Sequence, residues 1–219
     1  MPPRWLDRAA QKVLDHLDGV RSLAVFPLLW TYRLTDQKEI IDADCNQWAD
    51  IFWLAPGDRQ RLLGRFLFAF PEFRAVYYHR LSFGNPAGVL AGRMASRIWR
   101  TIDGIDLSGT PIGPGLFISH GQATILSAER IGARLQVHQG VTIGWDYKGD
   151  RRPIVGDDVF IGAGAKVLGA ITIGDGARIG ANAVVVCDVP PGATAVGAPA
   201  KVRTRGEAAI LSRFPEQVD

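Results

Sequence analysis

The side chains that can take and return a proton near neutral pH are four histidines, His16, His79, His120 and His138. Imidazole is the usual general base in that range. Their settings differ. His16 reads as a surface residue. His79 follows two tyrosines in a helical pattern, where packing is the simpler role and an acceptor contact the alternative. His120 and His138 fall in a glycine-rich stretch, where a turn histidine without function is the simpler role for His120 and His138 is a second candidate for a base or a substrate contact. Arg151 and Arg152, adjacent, and Arg178 are cations able to meet an anionic group. Cys45 and Cys187 lie far apart, with no Cys-x-x-Cys pair or His/Cys cluster beside either. That spacing holds no zinc and predicts two reduced thiols. No metal site is expected. There is also no Gly-x-Gly-x-x-Gly loop for a nucleotide, despite the many glycines.

Two kinds of sequence must position these groups. Residues 1–103 contain few glycines and read as a helical domain. The apolar face Ala10, Val13, Leu14, Leu17 predicts a first helix. Thr35 or Asp36 is placed to cap a helix running through Ile40, Ile41 and Trp48. Pro56-Gly57-Asp58 breaks the chain, and Asp58 can cap a helix over 59–70 that stops at Pro71. Another begins near Glu72, and a last one follows Gly84-Asn85-Pro86 to about residue 101. The aromatics Trp30, Trp48, Phe52, Trp53, Phe66, Phe68 and Phe70 read as core and subunit contact rather than as a ligand box.

From residue 104 to 203 the composition turns to Gly, Ala, Val and Ile. A branched aliphatic recurs every six residues at Val155, Ile161, Val167, Ile173, Ile179 and Val185. An earlier set runs Ile112, Ile118, slips by one, then continues Ile125, Ile131, Val137, Ile143. Six residues make one short strand and one turn, and three such units close a triangular coil. The aliphatics stack inside it, and a crowded turn follows each. Residues 145–152 interrupt the pattern as a polar loop extruded from a coil. The fold class is therefore α+β: a helical N-terminal region, then a left-handed parallel β-helix of hexapeptide repeats, then a tail over 204–219.

Charge excludes some partners. Lys and Arg number 25 against 22 acidic residues, a formal charge of +3. The basic residues are scattered, so no nucleic acid is expected. The apolar stretch at 23–34 is broken by Pro27 and is too short for the roughly 20 residues of a spanning helix. No signal-peptide pattern opens the sequence. These features predict a cytoplasmic protein without membrane contact as the leading reading, a short amphipathic contact being the alternative.

Particular words in the second half carry a family resemblance. They are Ile112-Gly113-Pro114-Gly115-Leu116-Phe117-Ile118-Ser119-His120, Gln139-Gly140-Val141-Thr142-Ile143-Gly144, Gly149-Asp150-Arg151-Arg152-Pro153, Phe160-Ile161-Gly162-Ala163-Gly164-Ala165-Lys166-Val167-Leu168-Gly169 and Val196-Gly197-Ala198-Pro199-Ala200-Lys201-Val202. The chain resembles the hexapeptide-repeat acyltransferases, and within them the serine acetyltransferase-like branch. The resemblance implies direct transfer of an acetyl group from acetyl-CoA to a hydroxyl, in a homotrimer or a dimer of trimers whose sites lie between neighbouring β-helices. It makes His120 the base and Asp106 the carboxylate that orients it. By the same resemblance Gly144, Trp145, Ala163, Arg178 and Ala181 line the path of the cofactor. Ser119, His138, Arg151 and Arg152 become candidates for binding the acceptor.

The sequence also departs from that family. Ser119-His120 stands where Asp-His is typical, and Asp150-Arg151-Arg152-Pro153 where Asp-Arg-His-Pro is typical. A fixed anion is lost and a fixed cation gained, which disfavours a serine ammonium. The expectation is thus an O-acetyltransferase acting on a small polar acceptor, such as a sugar or a serine-like, carboxylate-bearing metabolite. Serine O-acetyltransferase proper is the first alternative, and a non-catalytic β-helix scaffold the alternative of another class. The C-terminal Glu216-Gln217-Val218-Asp219 lacks the isoleucine end with which the family docks a partner enzyme.

Overall fold

The structure, a computed structural model, describes residues 21–54, 59–107, 109–146 and 149–203. The helix expected over residues 7–17, His16, the Asp58 cap and the tail 204–219 lie outside the described residues. The chain divides into two compact units, Met1–Ile102 with Pro114–Phe117, and Asp103–Gly113 with Ile118–Asp219.

The first unit holds five helices among the described residues: α1 Arg21–Leu34, α2 Lys38–Ile51, α3 Arg59–Ala69, α4 Pro71–Ser82 and α5 Pro86–Ile98. Proline opens α4 and α5, where its missing N–H costs nothing and its fixed φ suits the first turn. Asn85 caps α5 by accepting the Gly88 N–H at 2.8 Å. Two expectations change. Pro27 does not break α1, which runs through it while packed against α3 and α5. The cap of α2 is Gln37 and bonds with no side chain. Thr35 sits too early to cap. Its hydroxyl instead accepts the Gln37 N–H at 3.1 Å, while Asp36 accepts the Asn85 N–H at 2.9 Å.

Trp48 centres the core of this unit. Its ring lies 4.8 Å from Phe117, 5.1 Å from Phe73, 5.5 Å from Phe70, 5.9 Å from Phe66 and 6.1 Å from Phe52, centroid to centroid. Its indole N–H donates to the Leu116 carbonyl at 2.9 Å. One helical turn earlier, buried Asp44 accepts from the Gly115 and Leu116 amides at 2.8 and 2.9 Å. Asp44 also accepts two bonds from buried Arg80, at 2.8 and 3.0 Å. Burial pushes the Asp44 carboxyl up, while Arg80 and the two amides pull it back. A paired, fully bonded carboxylate is tolerated inside, whereas one stripped of a partner is not. Of the remaining aromatics, Phe66 belongs to this core, whereas Trp30, Trp53 and Phe68 are exposed.

The second unit is the β-helix. Its parallel strands form a five-stranded sheet β1-β3-β6-β9-β12, a three-stranded sheet β10-β7-β4 and a six-stranded sheet β14-β13-β11-β8-β5-β2. In chain order these are β1 Ile105–Asp106, β2 Phe117–Ser119, β3 Thr124–Leu126, β4 Arg130–Ile131, β5 Gln136–His138, β6 Thr142–Gly144 and β7 Ile154–Val155. There follow β8 Phe160–Ile161, β9 Lys166–Leu168, β10 Thr172–Ile173, β11 Arg178–Ile179, β12 Val184–Val185, β13 Thr194–Val196 and β14 Lys201–Arg203. The repeating aliphatics from Ile131 to Val185 are all buried. Each contributes about 1.5–3 kcal/mol over an exposed position. Val155 pairs with Ile173, one 18-residue coil on, but Ile131 pairs with Val155, so one hexad's worth of residues is extruded between them. That extra length is the loop after β6. The pairing of β14 with β13 is antiparallel, and it ends the stack.

One inward position differs from expectation. Leu126, not Ile125, stacks on Ile143, and Ile125 is 40% exposed. The reason lies in the preceding turn. Gln122 accepts the Gly140 N–H as Gln139 accepts that of Gly164, so Gln122 holds the place of Gln139. Yet four residues separate the inward Ile118 from Gln122, against two between the inward Val137 and Gln139. His120 and Gly121 are the surplus pair, and the strand that follows is displaced with them.

Candidate active site

The three sheets are joined at three edges, and the expected site residues divide between two of these. The first edge follows the six-stranded sheet. Ser119 ends β2, and His120 stands exposed on the inserted turn with φ of 55°. Histidine is among the few non-glycine residues enriched in that left-handed region. Gly121 has no such φ; its reason is space, since a β-carbon there would run into the Ile105 Cδ1. Ile105 and Asp106 make up β1, which runs beside β3, the strand leaving this turn. Asp106 is exposed and in register with Ile125. The expected base and its expected carboxylate thus belong to the same first coil, on either side of one turn.

His138 ends β5 on the next coil and is half-buried. Its carbonyl accepts the Thr124 hydroxyl at 3.4 Å, and its ring meets Phe160 edge-on at 5.3 Å. Burial first, and then the charge of His120, push the His138 imidazole below its ordinary value. It is therefore neutral at pH 7, an acceptor or donor rather than a fixed cation. Phe160 on β8 is in register with Arg178 on β11, whose guanidinium carbon lies 4.5 Å from the ring centroid. His138, Phe160 and Arg178 therefore touch in succession across three coils, His138 standing two residues beyond Gln136, which is in register with Phe160. Phe160 escaped sequence reasoning. The available signal was its place one residue before the inward Ile161, on the outer face of the same sheet.

Ala163 and Ala181 occupy the same edge on the third and fourth coils. The Ala163 carbonyl accepts the Asn182 N–H at 2.8 Å. The coils approach so closely that a β-carbon on Gly162 would stand 2.7 Å from the Ala181 nitrogen. Small side chains at this edge leave the backbone accessible along its length.

The second edge lies between the five- and three-stranded sheets and carries Gly144, Trp145, Arg151 and Arg152. Gly144 ends β6, and its carbonyl accepts the Gly169 N–H at 3.0 Å. A β-carbon at Gly144 would meet nothing within 4 Å, so open space lies beside it. Trp145 is exposed, as is Arg151. Arg152 is half-buried and donates to the Ser127 hydroxyl at 3.3 Å, while its backbone N–H reaches Glu129 at 3.4 Å. One chain therefore gathers Ser119, His120, His138, Ala163 and Ala181 along one edge and presents the double arginine on another. His79 and Cys45 are buried in the helical unit. Burial pushes the Cys45 thiol far up, which leaves it unreactive.

Comparison with known proteins agrees with this architecture. Residues 152–187 match the family model described as bacterial transferase hexapeptide (six repeats). A serine acetyltransferase of Helicobacter pylori (strain J99) is 43% identical over 145 residues, which cover 64% of this chain and 85% of the relative. The crystal structure of a Neisseria gonorrhoeae serine acetyltransferase in complex with serine is 33% identical. It superposes with a TM-score of 0.58 over 75% of this chain and 68% of the other. A serine acetyltransferase solved as a complex with CoA gives a TM-score of 0.62 at 23% identity, over 90% and 98% of the two chains, a likeness of fold. The chain belongs to the serine acetyltransferase family of hexapeptide-repeat acyltransferases. It is an acyl-CoA-dependent O-acyltransferase with acetyl-CoA as co-substrate.

Proposed function

We propose that the protein transfers an acetyl group from acetyl-CoA to the side-chain hydroxyl of L-serine, with His120 as the general base. The observation that carries the choice of acceptor is the 43% identity to a serine acetyltransferase over 85% of that relative's length. This reading takes the family's acceptor over the sugar or other metabolite that the anion lost at Ser119 and the cation gained at Arg152 favour in sequence. The Ser127 hydroxyl accepts from the Arg152 guanidinium, which orients that cation without neutralising it.

In this reading His120 takes the hydroxyl proton as the new C–O bond forms at the acetyl carbonyl. It returns that proton to the departing thiolate as the C–S bond breaks, so acetyl ester and free CoA thiol balance the reaction. Asp106 holds the imidazole in the tautomer that presents its free nitrogen. Neutral His138 and Ser119 bond the acceptor without adding charge. Ala163 and Ala181 on one edge, and Gly144 on the edge of the neighbouring protomer, would leave a lane for a long thin ligand close to the backbone, and Arg178 offers a cation to its phosphates. The two edges complement each other: Arg151 and Arg152 of one protomer would meet His120 of the next in a trimer. We place the reaction in the cytoplasm, where reduced thiols such as Cys45 and Cys187 persist.

The test is thiol release from acetyl-CoA with L-serine and a panel of sugars and hydroxy acids. L-Serine is expected to give the highest kcat/KM. Release with a sugar and none with L-serine would overturn the serine reading and leave the transferase class intact.

A further inference from the structure

Ser119 and His120 leave the end of β2. Among the described residues β2 is the terminal strand of its six-stranded sheet, laddered to β5 on one side only. A strand so placed has one row of backbone groups without a ladder to fix it. The residues that lead into it, Pro114–Phe117, cluster with the helical unit. Within that unit they meet a buried receptor. Gly115 takes φ of 83°, the left-handed region open to glycine. Its N–H and that of Leu116 converge on one oxygen, the Asp44 Oδ1, at 2.8 and 2.9 Å. The same oxygen accepts from the Arg80 Nη2 at 3.0 Å, and the Asp44 Oδ2 accepts from the Arg80 Nε at 2.8 Å. Trp48, one turn along α2 from Asp44, donates to the Leu116 carbonyl at 2.9 Å. Both backbone polar groups of Leu116 are thus held by α2, and Asp44, Trp48 and Arg80 are each at most 3% exposed.

Stability alone does not call for this arrangement. Replacing a buried ion pair by apolar side chains of similar volume is often neutral or stabilising. What apolar side chains cannot supply is an acceptor for two adjacent amides and a donor for the carbonyl that follows. We infer that Asp44 and Arg80, with Trp48, position the catalytic turn: they fix Gly115 and Leu116, and through β2 they set where the His120 imidazole stands. The inference rests on the reading of His120 as the base. From Leu116 to His120 is four residues, at most about 13 Å of extended chain. The strand between them is short and stiff, so a displacement at its start is carried to the turn at its end. A reacting group misplaced by about 1 Å costs on the order of 10²-fold in rate. Asp44, Arg80 and Trp48 are buried and act through the backbone, as positioning residues.

Two double variants of the full chain test it. Asp44→Leu with Arg80→Met removes both charges together, so neither is left alone, and takes away the acceptor of the two amides. Asp44→Asn with Arg80→Met also removes both charges but keeps an oxygen for Gly115 and Leu116. The readouts are steady-state kinetics with acetyl-CoA and L-serine, or the panel acceptor that replaces it, and NMR of the imidazole Cε1–H signals, among which His120→Ala identifies that of His120. The leucine pair is expected to lower kcat by about 10–10²-fold with the KM for acetyl-CoA within about twofold, and to shift or broaden the His120 signal. The asparagine pair should restore both. Thermal melting verifies that the compared proteins are folded. Should the leucine pair not fold, Trp48→Phe, which loses the bond to Leu116 and keeps an aromatic ring, carries the same test with a smaller expected effect. Native kcat or a native His120 signal in the folded leucine pair overturns the inference, as does an asparagine pair equally impaired. An active His120→Ala protein overturns the assignment of the base instead, and the His120 signal then decides by itself whether the clamp sets that turn.

Discussion

His120 is set apart by its backbone as much as by its side chain. It occupies a two-residue insertion in the first coil, exposed and at positive φ, where the later coils turn without surplus. His120→Ala is expected to lower kcat by about 10²–10⁴-fold, the range general-base catalysis supplies. His120→Asn keeps a residue tolerant of that φ and should be equally inactive, with an unchanged melting temperature. An active asparagine variant would remove His120 from the chemistry. His138 has its own signature. Its NMR titration midpoint should lie below the ordinary histidine value of about 6.5. His120→Ala should raise it only in part, because burial is the larger cause. The sign for stability follows. Between the depressed native value and about 6.5 the unfolded chain binds more protons. This residue therefore contributes stability that is complete above that window and lost as pH falls through it.

At the scale of the element, the displaced register of β3 makes a sharp contrast between neighbours. Leu126→Ala empties a fully buried position and should cost about 2–5 kcal/mol in urea unfolding. Ile125→Ala, at a partly exposed site, should cost within about 1 kcal/mol. Equal costs would mean that β3 keeps the undisturbed six-residue register. In the helical unit Asp44→Ala leaves Arg80 charged and buried and strips the Gly115 and Leu116 amides of their acceptor. A loss of about 3–5 kcal/mol is expected. A neutral result would show that water replaces the carboxylate.

The division of candidate residues between two edges becomes a statement about assembly. If the site is completed by a neighbouring protomer, His120→Ala and Arg151→Ala proteins, each inactive alone, should regain activity when unfolded together and refolded as mixed oligomers. Recovery arises because some interfaces then pair an intact His120 edge with an intact Arg151 edge. No recovery above the separate variants would place the whole site within one chain. The same experiment with His120→Ala and Ala163→Trp serves as the control, since both lie on one edge and that edge is damaged in every protomer.

The β-helix was legible in sequence because its physics is local and repeated. An inward aliphatic every sixth residue has one economical solution, a stacked triangular coil, and a polar run longer than a turn must leave the coil as a loop. The histidine-bearing words were legible through resemblance for the same reason, since they sit at fixed places in that repeat. What the repeat could not convey was anything that depends on which residues meet across coils or helices. A slip of one residue after Ile118 was visible. That it comes from two surplus residues in the turn, hands the inward place from Ile125 to Leu126 and lifts His120 outward was decided by pairing with the coil below. The continuation of α1 through Pro27 was decided by packing against α3 and α5. The clamp of Asp44 and Trp48 on residues 115–116, about 70 positions away, was likewise decided by tertiary contact. Short-range pattern specifies the scaffold, because six-residue periodicity is felt within each strand and turn. The separation of His120 from the double arginine onto different edges exists only once the coil has closed.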